Sequence, residues 1–186
     1  SALGELSDVT NPVEDSFYLG QKPSQYTITD TDSRQNVAIG LFAMRYIDDV
    51  DSSIAIGYDT MIGTNGQFTG DENIGIGKSA MRVITSGSDN TAVGVDALLA
   101  NTSGSNNISI GNESLSSNTQ GGRNTAVGFK AMYLNQTGER NAAFGYASGK
   151  SGSYNASFGA YGLTAVTGSN NTALGYYAGA SSGSNN

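Results

Sequence analysis

The chain lacks cysteine and histidine, has only 2 prolines in 186 residues, and contains no apolar run near the ~18 residues of a membrane-spanning helix. Without cysteine, neither disulfides nor thiolate metal sites arise. Without histidine, the commonest general base and the commonest zinc ligand are missing. Two prolines against 26 glycines exclude both collagen and a proline-rich linker. Hydrophobic residues make up 37%, below the globular norm of roughly 45–50%, so the core is either thin or shared between chains. Positive charge is scarce too: 9 basic residues against 16 acidic ones leave a net charge of −7. Such a chain is a poor binder of phosphate backbones, so nucleic acid is not expected, and without a long apolar run neither is membrane insertion.

What the chain does have is an internal repeat. Each copy closes a short apolar run with glycine: Gly40, Gly57, Gly77, Gly94, Gly111, Gly128, Gly145, Gly159 and Gly175. The spacings are 17, 20, 17, 17, 17, 17, 14 and 16 residues. Phe17-Tyr18-Leu19-Gly20 is a weaker first copy. The position four before the glycine is Asn36, Asn73, Asn90, Asn107, Asn124, Asn141, Asn155 or Asn171, with Ser53 the exception. One before the glycine is always large and apolar: Ile39, Ile56, Ile76, Val93, Ile110, Val127, Phe144, Phe158 or Leu174. Two before is always small, and four after is usually Met or Leu, as in Met44, Met61, Met81, Leu98, Leu115, Met132 and Leu163. Residues 1–15 read as an extended lead-in and residues 16–186 as the repeat array. The closing Gly183 and Asn186 fit the spacing of a further copy, so Ser1 and Asn186 read as cut ends of a longer chain.

These patterns predict an all-β, parallel solenoid of about nine to ten coils of roughly 17 residues. Each coil begins with a β-prone run such as Thr91-Ala92-Val93. The second stretch, such as Asp96-Ala97-Leu98-Leu99, is too short for a stable helix and is expected to be a strand. A Ser/Thr/Gly/Asn turn then returns the chain to the next copy. The large residues one before and four after the glycine differ by an odd number, so a bend at the glycine is expected to turn both inward. The residues one before the glycine are therefore assigned to the coil core. Coils stacked about 4.8 Å apart would form a rod about 45 Å long. Equivalent asparagines would then form a ladder of bonded amides. A coil with two dependable large apolar positions buries little surface against its ordering entropy. Several chains side by side, three by preference, are therefore expected.

The recurring Asn-Thr-Ala-Val-Gly and Asn-Val-Ala-Ile-Gly, with Ala-Leu or Ala-Met three residues later, resemble two related groups. One is the head domain of YadA-like trimeric autotransporter adhesins. The other is the repeat arrays of phage tail fibres, and the opening LGELSDVTNPVEDSFYLGQKPS is similar to the lead-in of such arrays in marine, cyanophage-like viruses. The resemblance covers about Asn36 to Asn186, and the period and the Ala-Leu/Met stretch favour the fibre form. It implies a left-handed parallel β-roll, a homotrimer, and a virion tail fibre that spaces or presents a host receptor-binding tip. The alternative it implies is a bacterial cell-surface adhesin whose roll binds a host cell-surface glycan or protein. In the fibre form, end-to-end contacts with neighbouring fibre segments are a further candidate partnership. The 20- and 14-residue copies depart from the pattern and predict one longer and one trimmed loop.

Candidate chemistry is sparse. Gly145 to Ser151 imitates a phosphate loop, but has three residues between its glycines where that motif has four. Asp96 and Glu113, with Lys130 one copy later, fall at one slot and could place two carboxylates side by side as glycosidases do. A solvated column with a weak Glu113–Lys130 pair is the better reading. Asp48, Asp49 and Asp51 crowd one turn without a calcium-loop pattern. Tyr146, Tyr154, Tyr161, Tyr176 and Tyr177 concentrate near the C-terminus, where they pack or contact a receptor. No catalytic, metal or cofactor site is expected.

Overall fold

The computed structural model describes residues 17–19, 35–47, 50–64, 68–165 and 168–179. The lead-in, Asp48, Asp49 and the closing Gly183 and Asn186 lie outside the described residues. Ten three-residue strands follow one another: β1 (Phe17–Leu19), β2 (Val37–Ile39), β3 (Ile54–Ile56), β4 (Ile74–Ile76), β5 (Thr91–Val93), β6 (Ile108–Ile110), β7 (Thr125–Val127), β8 (Ala142–Phe144), β9 (Ala156–Phe158) and β10 (Thr172–Leu174). They form one parallel sheet in chain order, and no helix occurs among the described residues. The fold is a β-solenoid whose coils match the sequence copies.

The register is fixed by the repeat slots, not by coil length. Ile54 pairs with Ile74 across the 20-residue copy, and Ala142 pairs with Ala156 across the 14-residue copy. Length differences are therefore absorbed between the strands.

Each closing glycine sits where only glycine fits. Gly94 has φ 141°, and a Cβ there would lie 2.6 Å from the Gly111 carbonyl of the next coil. Three further positions per coil are left-handed: five before, two after and four after the anchor, the last being glycine only at Gly149 and Gly179. Glu72 (φ 56°), Asp96 (φ 57°) and Leu98 (φ 51°) illustrate them. Each costs roughly 1–2 kcal/mol in an isolated chain. Hydrogen bonds between coils hold them: Glu72 N–H donates to Asp51 O (2.9 Å), Asp96 N–H to Lys78 O (3.0 Å) and Leu98 N–H to Ser114 O (3.0 Å).

That geometry corrects one expectation. The stretch after the glycine is a run of turns and not a second strand. The left-handed residues direct alternate amides to the coils on either side, while the residue between them, as at Ala97 N–H to Gly94 O, bonds within its own turn.

The core is also rearranged relative to expectation. The expected core residues Ile39, Ile56, Ile76, Val93, Ile110, Val127, Phe144, Phe158 and Leu174 all face outward, half-buried or exposed. The interior is filled by the small residues two before the glycine, including Ala38, Ala55, Ala92, Ala126 and Ala143. Met44, Met61, Met81, Leu98, Leu115, Met132 and Leu163, four after it, complete the filling. The reason is the alternation of side chains along a strand. With the middle residue of each strand pointing in, both flanking residues must point out. From Leu98 onward the interior holds at most one large apolar side chain per coil, opposite a small one, while the earlier coils also bury Ile47, Val50, Phe68 and Ile84. At Gly75, an added Cβ would fall 3.1 Å from Met61 Cε. Smallness two before the glycine therefore serves the coil's own interior.

Candidate functional surface

Two amide columns stiffen the interior. In the first, Asn90 Nδ2 donates to Asn73 Oδ1 (3.0 Å), Asn107 to Asn90 (3.1 Å), Asn124 to Asn107 (3.1 Å) and Asn141 to Asn124 (2.9 Å). Asn155 joins Asn141 through its backbone N–H (2.9 Å), and Asn171 Nδ2 donates to Asn155 Oδ1 (3.0 Å). Every one of these asparagines is buried. Where Ser53 replaces asparagine, its N–H donates to Asn36 Oδ1 (2.9 Å) and its Oγ accepts from Asn73 N–H (3.0 Å). The serine thus keeps the backbone rungs and loses only the amide rung. The second column is Asn101, Asn118 and Asn135, which sequence reasoning missed. Asn118 Nδ2 donates to Asn101 Oδ1 (2.9 Å) and Asn135 Nδ2 to Asn118 Oδ1 (3.2 Å). Their signal was present: three successive copies carry an asparagine three residues before the glycine of the turn.

Asn135 Oδ1, at the end of the second column, is buried without a hydrogen-bond partner. Outside the coils, the outward strand face is the notable surface. Its two columns are formed by the first and last residue of every strand. In β6, Ile108 is 42% and Ile110 41% exposed, Phe144 and Phe158 stack at 5.1 Å, and Leu174 is 82% exposed. Nine strands at about 4.8 Å spacing make this face nearly 40 Å long. Thr91, Thr125 and Thr172 interrupt the first column, but the last is large and apolar throughout, and an exposed apolar column of that extent marks an interaction site.

Beyond the glycine corner runs an aromatic strip. Phe129 stacks on Tyr146 (5.1 Å) and Tyr161 on Tyr177 (4.8 Å), with Tyr176 edge-on to both Tyr161 and Tyr177. Desolvation, with the hydrogen bond to Tyr146 second, holds the Tyr161 phenol above its ordinary pKa. Tyr154 stands apart, beneath Arg140 (5.2 Å).

The remaining candidates find structural roles. Lys130 Nζ is 3.3 Å from Glu113 Oε2, both partly exposed, in the solvated column expected. In the segment resembling a phosphate loop, the N–H groups of Gly145, Ala147 and Gly149 donate to Val127, Phe129 and Gly162 carbonyls. Those amides are committed to the coil stack and do not point at a ligand. Asp51 N–H donates to Asp71 Oδ1 (2.8 Å), and no cluster of three potential metal ligands occurs among the described residues. No helix among the described residues is long and apolar enough to cross a membrane. No family model, curated protein or solved structure matches the chain.

Proposed function

We propose that this chain is a structural segment of a viral tail fibre, a rigid rod of three laterally packed chains that spaces or presents a host receptor-binding tip. One observation carries the reading: the last residue of every strand from β2 to β10 is large, apolar and directed outward, half-buried or exposed, beside a first-residue column of Val37, Ile54, Ile74 and Ile108 that Thr91, Thr125 and Thr172 interrupt. A column of isoleucine, valine, leucine and phenylalanine in water is costly at ~25 cal/mol per Å². Equivalent faces of neighbouring chains would remove that cost, and a closed ring of identical chains leaves none uncovered. The resemblance of the repeats to phage fibre arrays supports three chains and a fibre. Stacked coils with fixed register supply the mechanics, since each coil adds a constant rise.

Light scattering after size exclusion tests this. A mass near three times 19.1 kDa is expected, falling to one chain in Ile110→Asp. A compact monomer of the unaltered chain would sink the proposal.

A second reading, an adhesin whose roll surface itself contacts a ligand, is favoured by the exposed aromatic strip, where Tyr176 is 73% and Tyr177 49% exposed. Direct attachment of this segment to cells would favour it over a spacer.

A further inference from the structure

The position five before each glycine is the crest of the coil. It is exposed in every described copy and left-handed in each, so its side chain projects from a fixed backbone. Along this crest, after the neutral Gln35 and Ser52, the chemistry changes: Glu72 and Asp89, then Asn106, then Arg123, Arg140 and Tyr154, with Asn170 last. The change matches the whole chain. Residues 1–100 carry 14 acidic and 5 basic side chains, net −9, and residues 101–186 carry 2 acidic and 4 basic, net +2, which together give −7.

Arg123 and Arg140 occupy equivalent slots of successive coils, so their backbones lie about 4.8 Å apart. Their N–H groups are pinned to Ser105 O (2.9 Å) and Gly122 O (3.1 Å). Neither guanidinium forms a salt bridge among the described residues. Two like charges side by side repel, and asparagine, which tolerates the left-handed backbone better, fills this slot at Asn106 and Asn170. Arg140 is also ordered in advance. Its Nη1 donates to Tyr154 Oη and its guanidinium lies over the Tyr154 ring. Ordering a donor before binding lowers the entropy lost on binding.

We infer that Arg123 and Arg140 form a docking point for an anionic cell-surface glycan, gripping its carboxylate or phosphate between two guanidiniums. Arginine suits both groups, since its fork donates two parallel hydrogen bonds to either. A ridge without a groove accommodates an extended chain and not a small enclosed ligand. The net charge of −7 disfavours a densely charged polyanion such as nucleic acid. A sparsely charged glycan need meet only the basic coils. The inference rests on the fibre reading for its setting, and it makes this segment one that touches the host surface as well as spacing a tip.

Affinity electrophoresis of the full chain through gels containing alginate, phosphomannan or dextran tests it. Retardation by alginate or phosphomannan, and not by neutral dextran, is expected, and the polymer that retards identifies carboxylate or phosphate as the target. Arg123→Gln with Arg140→Gln should weaken retardation about tenfold or more. Tyr154→Phe, which removes only the hydroxyl holding Arg140, should weaken it less. Glu72→Gln with Asp89→Gln should leave it unchanged or stronger. No retardation of the unaltered chain, or equal retardation of the arginine variant, overturns the inference. So does a fall in oligomer mass in the arginine variant, which would assign these side chains to contact between chains. The mass of each sample separates the two readings. Three chains without glycan binding refute the docking point alone, and one chain with binding refutes the fibre alone.

Discussion

Asn107 lies midway along the first amide column, where its replacement has a calculable cost. Its Nδ2 donates to Asn90 Oδ1 (3.1 Å) and Gly121 O (2.9 Å), and its Oδ1 accepts from Asn124 N–H (3.0 Å) and Asn124 Nδ2 (3.1 Å). Asn107→Ala deletes all four bonds. Asn90 Oδ1 still accepts from the backbone N–H of residue 107, and Gly121 O still accepts from Asn118 Nδ2. The Asn124 N–H is left buried with nothing to bond, at about 1–3 kcal/mol, and the other lost bonds add about 0.5–1.5 kcal/mol each, less where a second partner remains. A loss of roughly 3–5 kcal/mol follows. Asn107→Ser is the control, because Ser53 fills this slot natively and its Oγ accepts from Asn73 N–H. It restores the acceptor for Asn124 N–H and should cost about 1–2 kcal/mol. Urea unfolding of both variants against the parent, followed by circular dichroism, reads the difference from the midpoints if the slope is unchanged. Hydrogen exchange adds a local check, with the Asn124 amide losing protection in the alanine variant alone. Equal midpoints for alanine and serine, within about 0.5 kcal/mol, would refute the claim that the column stabilises through the acceptor it offers each following amide.

Leu115→Ala should lower stability by about 2–5 kcal/mol by opening a cavity in the single-file core. Ile110→Ala, on the outer face, should cost an isolated chain less and should weaken association instead; chemical unfolding and light scattering on the same pair distinguish inside from outside. Gly94→Ala should prevent the native stack, since its methyl would lie 2.6 Å from the Gly111 carbonyl at φ 141°, and loss of the β circular dichroism signal would show it. Glu113→Gln should change the unfolding midpoint by no more than about 0.5 kcal/mol, because the Lys130 pair is solvent-screened.

Much of this fold was legible because the repeat records it slot by slot. The asparagine column, the closing glycines and the strands all lie where the period puts them. Even the 20- and 14-residue copies kept their alignment, because Ile74 and Ala156 could be matched by the glycine that follows each strand. What misled was the direction of the large side chains. Ile110 and Leu115 look alike in composition, and only the left-handed backbone at Leu115 (φ 48°) turns that residue inward while Ile110 points out. Hydrophobicity does not encode the sign of φ. The second amide column was overlooked for a different reason: Asn101, Asn118 and Asn135 occupy three copies only, and Ile47, Phe68 and Ile84 are buried in earlier ones. The Arg123–Arg140 crest was visible as letters, but its exposure and its lack of a salt bridge among the described residues emerged only from the packing.

The hydrogen bonds between coils all run along the stack, because neighbouring strands are parallel and in register. A pull along the rod therefore loads every bond of a rung together, and the strain is shared across strand, turns and amide columns. A sideways push opens one edge of a rung first, so the same bonds fail in sequence. A single chain is thus built to resist tension better than bending, and lateral partners on the apolar face would supply the bending stiffness it lacks.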